Sequence, residues 1–546
     1  MRYRALFSLI ILCILAVSFN SCGNRAPGKK PKLVVGIVVD QMRWDYLYRY
    51  SSKYSKNGFK RLMREGYNCQ NTHINYFPSY TGPGHACVYT GSVPSIHGIA
   101  GNAWYNRDLK KQINCVEDTS VSMVGLGTMA GHISPRNLLS TTITDELRLA
   151  TNFKSKVVAV ALKDRSAVLP GGHHPTGAYF VDGTTGNFIT TSWYMKEVPA
   201  WVNDFNHLNL TRKYLDQDWN TMLPIDQYTE STKDDEPYER SYEGESKPVF
   251  PHHLGKISRG HPDVISYTPF GNSITLDFAK AAIAGEHLGS GSFTDFLAIS
   301  LSSTDLVGHQ FGPNSIEAED CFLRLDRELG DFFSYLDQTV GKGNYVVFLT
   351  ADHGVSHSID FNVENQIPSG VFKIDSVADK VNVMLADKFG AGQWVVSHEN
   401  MQLYLNRDLM AEKKVTEAEI FDVVRPYMMN FEGIADVIDL KNIANSQVQG
   451  DIRVKLTNGF NLKRSGDFQI LYNPAWVESF TQGATHGSSY AYDTHIPLLF
   501  MGGKIQHRED YSPVDMTDIA PTIAALLHIQ EPSGSIGKVI APVVAR

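Results

Sequence analysis

Six side chains of the types that bind zinc are spread along the chain, and each lies near a short apolar run. They are Asp40, Asp305, His309, Asp352, His353 and His486. Zinc binds imidazole nitrogen and carboxylate oxygen, and a catalytic zinc site keeps one position open. Three carboxylates and three imidazoles predict two zinc ions, which together can stabilise the attacking and leaving oxygens of a phosphoryl transfer. Magnesium and calcium prefer all-oxygen ligands, whereas manganese and iron remain alternatives.

Each of these residues also has an ordinary structural interpretation. An Asp after a strand is usually a turn residue or a helix cap, and a lone His is more often a hydrogen-bonded structural residue. Ordinary turns would show Asn, Gly and Ser at such points. Repetition of Asp and His at one strand end after another therefore favours the metal interpretation.

A candidate nucleophile lies in the segment 77–85, which reads as a loop turning into a helix. Thr81 is at the turn, and Pro83 suits the first helical turn. A hydroxyl there would face free backbone N–H groups and the positive end of the helix. Metal coordination would lower its pKa and make it nucleophilic. The alternative is that Thr81 only caps the helix.

Two cations, Lys163 and Arg165, follow another apolar run. Arg offers a planar fork to two phosphate oxygens, and Lys offers a point charge. Positive groups directed at a transferring phosphoryl group are a main protein contribution to its catalysis. Without metals nearby, both residues would be better interpreted as a solvated turn.

Apolar, β-branched runs of strand length predict the elements that position these residues. They cover 33–39, 156–162, 293–301, 345–350 and 496–501. Amphipathic helices are predicted at 142–150, 315–336 and 516–527. The alternation predicts an α/β fold with a mostly parallel central sheet and helices on both faces. The carboxyl ends of such strands form the usual ligand-binding edge. Segments 201–262 and 360–481 are interpreted as insertions in a single domain, 32–546, that form a cap or second lobe.

The chain begins with a predicted export signal. Arg2 and Arg4 precede an apolar run that is too short to span a membrane comfortably. Residues 1–21 therefore read as a signal peptide of lipoprotein type, with Cys22 as the first mature residue and a lipid anchor. Ordinary cleavage nearby is the alternative. An exported protein, periplasmic and membrane-anchored, is expected.

Charge and cysteine content limit the partners and cross-links. The net charge is -8, and without the leader 48 basic residues face 58 acidic ones, which argues against a nucleic-acid partner. Cys69, Cys87, Cys115 and Cys321 show no zinc-type spacing. An oxidising compartment would permit a disulfide, but burial as small apolar residues is the preferred interpretation.

Longer motifs resemble the alkaline phosphatase superfamily. The six ligand residues, Thr81, Asn102 and the C-terminal strings YDTHIPLLFMG and DMTDIAPTIAALL match its pattern across the chain after the leader. The strings KLVVGIVVDQMRWDYLYRY, GSVPSIHGIAGN, LKDR, STDLVGHQFGPNSIE and ADHG are similar to those of PafA-type bacterial alkaline phosphatases. The resemblance implies a periplasmic, zinc-dependent phosphomonoesterase of broad range that acts on small phosphorylated substrates, and a monomer is expected.

The resemblance also implies a role for each residue. One zinc ion would be held by Asp305, His309 and His486. The other would be held by Asp40, Asp352 and His353, with Thr81 beside it as the nucleophile that becomes phosphothreonine. Asn102, Lys163 and Arg165 would contact the phosphate oxygens.

Three other functions compete with this interpretation. A phosphodiesterase of the same superfamily is the nearest, but two cations suit a monoester dianion better than a singly charged diester. A sulfatase would need Cys or Ser at the position of Thr81. A non-catalytic glycan-binding lipoprotein would suit the aromatic content of 11%, but would have no use for a nucleophile beside two sets of ligands.

Overall fold

The computed structural model describes residues 30–127, 132–478 and 482–545. The predicted signal peptide 1–21 and Cys22 lie outside these ranges. The described strands are β1 Leu33–Val39, β2 Tyr67–His73, β3 Ala103–Asn106, β4 Lys111–Asn114, β5 Met123–Val124, β6 Val157–Val160, β7 Gly177–Val181, β8 Phe188–Thr191, β9 Asp295–Leu301, β10 Tyr345–Thr350, β11 Gly370–Phe372, β12 Val395–Ser397, β13 Gln402–Leu405, β14 Ile434–Asp439, β15 Phe468–Tyr472, β16 Trp476–Glu478, β17 His495–Gly502, β18 Arg508–Asp510 and β19 Val514–Asp515.

Helices cover both faces of the main sheet and the surrounding segments. The described α-helices are Tyr46–Arg49, Phe59–Glu65, Thr81–Thr90, Pro94–His97, Ile143–Ala150, Asp164–Gly171, Ala200–His207, Leu210–Leu215, Leu254–Ile257, Phe270–Glu286, Ser303–Phe311, Ile316–Leu336, Ile359–Glu364, Ile374–Phe389, Arg407–Lys413, Glu417–Met428, Gly450–Gly459, Ala491–Thr494, Ile519–Leu527 and Ala541–Val544. Among the described residues, none of the helices combines the length and apolar character needed to cross a bilayer.

The main sheet has the strand order β18-β2-β17-β10-β1-β9-β6-β7-β8-β5, and β19 also pairs with β2. The central strands β10, β1, β9, β6 and β7 are parallel to their neighbours in that run. Towards the sides the sheet becomes mixed, because β17 is antiparallel to β10 and to β2 and β8 is antiparallel to β7. The predicted α/β fold with a mostly parallel sheet is confirmed.

The apolar runs predicted the central strands well. β1 and β10 have the predicted bounds, and 496–501 lies within β17. The strand predicted from residue 293 begins instead at Asp295, because Phe293 is exposed and the Asp295 carboxylate accepts hydrogen bonds from the Lys156 and Gly289 N–H groups. The polar strand β2 and the short β7 and β8 were not predicted.

The predicted helices start at identifiable caps. Thr142 caps Ile143–Ala150 through a reciprocal pair of bonds with Asp145, and Ser315 caps Ile316–Leu336. The helix predicted at 516–527 begins as a 3-10 turn capped by Asp515 before continuing as Ile519–Leu527.

The two predicted insertions pack in different ways. Segment 201–262 contributes Trp219, Tyr242 and Leu254 to the core of the main sheet. Segment 360–481 contains the antiparallel sheet β12-β13-β15-β14 and a separate core around Trp394 and Ile470. The division into one domain with two insertions stays a prediction.

The four cysteines of the described region that were considered for a disulfide are buried free thiols: Cys69, Cys87, Cys115 and Cys321. Burial raises the pKa of each thiol, to about 12 for Cys69 and Cys115. The interpretation as small buried apolar residues is therefore confirmed.

Candidate active site at the sheet edge

The six predicted ligands meet at one edge of the main sheet. The parallel strands β1, β9 and β10 end there, and each is followed by an acidic residue: Asp40, Asp305 and Asp352. β17 runs antiparallel to β10, so the start of β17 lies at this same edge. This explains why His486 precedes its strand in the sequence whereas the other ligands follow theirs.

Asp40, Asp352 and His353 form the buried cluster. Their ligand atoms lie within 4.8 Å of one another, and all three side chains are fully buried. His353 Nε2 is 3.4 Å from Asp40 Oδ1 and 3.6 Å from Asp352 Oδ2. Asp40 Oδ1 and Asp352 Oδ2 have no hydrogen-bond partner among the described residues. Two buried carboxylate oxygens without donors fit a metal ion, because such oxygens are otherwise costly.

Asp305, His309 and His486 form the open cluster. His309 Nε2 is 3.2 Å and His486 Nε2 3.7 Å from Asp305 Oδ1, and the His309 side chain is 25% exposed. The compact group that could hold a metal ion joins Asp305 and His486 to His353 rather than to His309. This differs from the predicted set, because the His353 and His486 rings stack with their centroids 3.4 Å apart.

All three histidines are oriented in the same way by the backbone. Each ring places Nδ1 against a backbone carbonyl oxygen, at 2.7–3.0 Å, and so must donate its N–H there. The pairs are His309 with Ala484, His353 with Gly354, and His486 with Ser79. Nε2 is left as an acceptor that faces the carboxylates, which is the usual arrangement behind a metal-binding histidine.

Burial and neighbouring charges hold these groups in states suited to metal binding. Burial lowers the pKa of His353 and of His486, so both rings are neutral at neutral pH. Burial and the nearby Asp352 charge raise the pKa of Asp40. Despite burial, His309 and Lys163 hold the pKa of Asp305 well below its ordinary value. Neutral imidazoles beside carboxylates are the donor set that zinc and similar ions bind.

Thr81 is the first residue of the Thr81–Thr90 helix, and the cap position is occupied by Tyr80. The alternative interpretation of Thr81 as the helix cap is therefore wrong. Its hydroxyl is buried and lies 3.4 Å from His353 Nε2, at the side of the buried cluster. At Gly84 the helix packs closely against Asp352, because an added Cβ would lie 2.6 Å from the Asp352 carbonyl oxygen.

Of the three predicted phosphate-contacting residues, Asn102 lies beside the start of the Thr81–Thr90 helix and Lys163 lies between the two clusters. Asn102 Oδ1 accepts a 2.7 Å hydrogen bond from the Gly82 N–H, which places its amide beside Thr81. Lys163 Nζ donates to Asp40 Oδ2 at 2.7 Å and to Asp305 Oδ2 at 2.6 Å, so it bridges the two clusters. Arg165 lies in the first turn of the Asp164–Gly171 helix, which begins directly after Lys163. Its buried Nε has no hydrogen-bond partner among the described residues.

Gln41 is a site residue that sequence reasoning missed. Its backbone N–H donates to Asp352 Oδ1 at 3.2 Å, and its side-chain Nε2 donates to Asp305 Oδ1 at 2.6 Å. It therefore links both clusters. Its φ of 65° is left-handed, which is uncommon for a residue other than glycine. No periodicity marks such a position, although its place directly after Asp40 is a signal in hindsight.

His85 lies within the Thr81–Thr90 helix and links that helix to its surroundings. Its Nδ1 lies 2.9 Å from the Thr81 carbonyl oxygen and 3.3 Å from Asp352 Oδ2, and its Nε2 lies 2.9 Å from Ser300 Oγ. The ring thus ties the first turn of the helix to β9 and to the buried cluster.

Comparisons with known proteins identify the family. A family model described as type I phosphodiesterase / nucleotide pyrophosphatase matches residues 34–495. The chain is 49% identical to alkaline phosphatase PafA of Elizabethkingia meningoseptica over 95% of each chain. It is 48% identical to alkaline phosphatase PhoV of Synechococcus elongatus over 97% of this chain and 98% of PhoV. The crystal structure of wild-type PafA superposes with a TM-score of 0.93, covering 96% of this chain and all of that one.

The chain therefore belongs to the type I phosphodiesterase / nucleotide pyrophosphatase family, within the alkaline phosphatase superfamily. The resemblance to PafA-type alkaline phosphatases that its motifs predicted is confirmed.

Proposed function

We propose that the protein is a zinc-dependent alkaline phosphatase that hydrolyses phosphate monoesters through a phosphothreonine at Thr81. The main support is the geometry of the edge: the Thr81 hydroxyl lies 3.4 Å from His353 Nε2, beside two groups of Asp and His that can hold metal ions. The 48–49% identity to proteins named as alkaline phosphatases supports the same activity.

The proposed zinc ions are assigned to the two clusters. One would be held by Asp40, Asp352 and His353, and the other by Asp305, His309 and His486. When bound, the ions would lower the pKa of the attacking hydroxyl and stabilise the charge that develops on the leaving oxygen.

The chain's own residues would position the ester. Thr81 stands at a helix start, where backbone N–H groups and the helix dipole favour negative charge. Asn102, held by the Gly82 N–H, would present its amide to a phosphate oxygen. Lys163 and Arg165 would supply two positive charges to a dianionic substrate. Burial of the Lys163 amine lowers its pKa, but Asp305 and Asp40 outweigh burial and raise it, so it is charged at neutral and alkaline pH.

The test is a metal analysis joined to paired assays on a leaderless protein. Zinc content is measured by mass spectrometry, and rates are compared on an aryl phosphate monoester and on its methyl diester, which has the same leaving group. We expect two zinc ions per chain and a higher kcat/KM for the monoester. A higher rate on the diester would instead assign a phosphodiesterase, and a metal-free, inactive chain would support a binding protein.

Export, lipidation and a monomeric state form part of the proposal. The predicted leader supports a periplasmic protein anchored through Cys22, acting on small phosphorylated substrates and not on nucleic acid. The test is fatty-acid labelling of the full chain against its Cys22→Ser variant. Label in the native chain and none in the variant is expected, whereas equal labelling would contradict an anchor at Cys22.

A further inference from the structure

A group of large exposed apolar side chains lies at the edge of the main sheet opposite the candidate site. Phe293 comes just before β9, and Phe153 comes shortly before β6. Both strands run parallel to β1, whose carboxyl end carries Asp40, so the two phenylalanines lie at the amino ends of these strands. β7 is parallel to β6 and β8 is antiparallel to β7, so Trp193, which follows β8, returns to this same edge.

Two leucines extend this group. Leu139 and Leu149 line one groove of about 430 Å³ together with Phe153 and Trp193. With Phe293 they make five side chains whose exposed fractions run from 37% for Trp193 to 61% for Leu139. Exposed apolar patches of this kind mark interaction surfaces in folded proteins. We call these five residues the amino-edge face.

Basic side chains lie among the aromatic ones. Lys154 Nζ is 5.3 Å from the centre of the Phe293 ring, and Arg148 Cζ is 5.4 Å from the centre of the Phe153 ring. Because Lys154 directly follows Phe153, its contact with Phe293 joins that ring to the groove. Asp145, the acidic residue that lines the groove, is buried. The amino-edge face is therefore apolar, with positive charges at its surface.

The chain enters β1 at this same edge. Lys30 lines a second cavity together with Phe293, and the Thr294 hydroxyl donates to the Pro31 carbonyl oxygen at 2.6 Å. The chain before β1 is thus bound beside Phe293. Cys22, the proposed point of lipid attachment, lies eight positions before Lys30. Since a stretch of this length spans at most about 28 Å, a lipid there would hold the amino-edge face close to a membrane.

We propose that the amino-edge face rests on the surface of an anionic phospholipid membrane, with the candidate site turned away from it. The inference rests on the lipid anchor proposed above. Aromatic rings favour the boundary between headgroups and acyl chains, and exposed Leu and Phe side chains can enter it. Lys154, Arg148 and Lys30 would meet anionic headgroups, which attract Lys and Arg close to a membrane.

A second copy of the chain is the alternative occupant of this face. A two-fold dimer pairs the same surface of both subunits. Lys154 and Arg148 of one chain would then lie near the same residues of the other, and like charges brought together at an interface are unfavourable. The charge of the face therefore favours an anionic membrane over a second copy.

The experiment measures vesicle flotation of leaderless protein, residues 23–546, which carries neither the signal peptide nor the anchor. One set of vesicles contains phosphatidylethanolamine and phosphatidylglycerol, and the other contains phosphatidylcholine alone. We expect binding to the anionic vesicles to be at least about tenfold tighter. Joint replacement Phe153→Ser and Phe293→Ser should weaken binding about 100-fold, because two rings no longer leave water.

Lys154→Glu changes an exposed side chain and provides a second variant if the double replacement does not fold. It should remove most of the preference for anionic vesicles. Tyr511→Ser is the matched control, because this aromatic residue is 69% exposed and follows β18 at the site edge. It should bind vesicles as the native sequence does. Bound protein should also hydrolyse an aryl monoester at the rate of free protein, because the site faces away.

Four results would overturn the proposal. They are no flotation of the native sequence on anionic vesicles, equal weakening by Tyr511→Ser, a loss of monoester hydrolysis on binding, and a dimer in sedimentation that the double replacement dissociates. The last would assign the amino-edge face to a second copy. Flotation of an inactive protein would contradict the phosphatase proposal alone, and flotation without fatty-acid labelling of the full chain would contradict the anchor alone.

Discussion

The buried and open clusters use the same kinds of side chain in different surroundings. Asp40, Asp352 and His353 are fully enclosed behind the ends of β1 and β10 and the Thr81–Thr90 helix. In the open cluster, His309 is 25% exposed and its Nδ1 depends on a carbonyl of the connecting segment at Ala484. A phosphoryl group is the constant part of every monoester, and the leaving group is the variable part. The contrast suits an enclosed side for the phosphoryl group and an open side for many leaving groups.

The largest effect should come from the nucleophile beside the buried cluster. Thr81→Ala removes the hydroxyl while leaving both clusters intact, so kcat/KM for an aryl monoester should fall by about 10⁴-fold or more. Thr81→Ser should retain a large share of the activity. Thr90→Ala, at the far end of the same helix, controls for folding. A zinc-loaded Thr81→Ala variant with near-native turnover would contradict the nucleophile assignment.

The second prediction compares the same substitution, histidine to alanine, in the two clusters. His353→Ala removes a fully buried donor, so zinc retention during dialysis against a chelator should fall by about 10³-fold. His309→Ala should cost about tenfold less, since water can take the place of an exposed donor. Zinc is measured by mass spectrometry in both variants and in the native chain. Equal losses would show that the difference in exposure has no effect on metal retention.

The sequence predicts a site residue best where the signal lies in the neighbouring residues and not in the fold. β1 and β10 are apolar, β-branched runs, so their ends and the residues after them were located correctly. The antiparallel direction of β17 comes from sheet pairing, which no single run reveals, yet it is what brings His486 to the edge. His309 was located from the apolar run before it and lies four residues after Asp305 in the Ser303–Phe311 helix. Asn102 was identified by motif resemblance, because it follows none of the predicted strands. Gln41 was missed, since its left-handed backbone conformation exists only in the folded chain.

A third prediction concerns the cation that bridges the clusters. Lys163→Ala removes the ammonium that donates to Asp40 and Asp305, and with it a charge proposed to meet the substrate. We expect kcat/KM for the monoester to fall by about 10²-fold. The rate on the methyl diester should fall less, because a diester carries one charge fewer. A loss shared equally by both esters in a variant with native zinc content would assign Lys163 to the carboxylates alone.

The smallest effect concerns Glu239, a buried acid outside both clusters. The raised pKa of Glu239 means that the folded chain keeps a proton that the unfolded chain releases above its ordinary pKa of 4.5. This contribution to stability falls as pH rises from 4.5 towards 10. His252, with its pKa raised to about 9, contributes stability that is present below pH 6.5 and is lost through pH 9. Both groups therefore predict that the protein loses stability between pH 6.5 and 9.

Glu239→Gln keeps this side chain neutral at every pH, so it should remove the part of the loss that comes from Glu239. Tm is measured from pH 6.5 to 9 in zinc-saturated buffers for the native chain, for Glu239→Gln and for Glu243→Gln, the control, whose side chain is 87% exposed. The fall of Tm with pH should be smaller in Glu239→Gln and native-like in Glu243→Gln. An equal fall in all three proteins would show that Glu239 does not hold the proton.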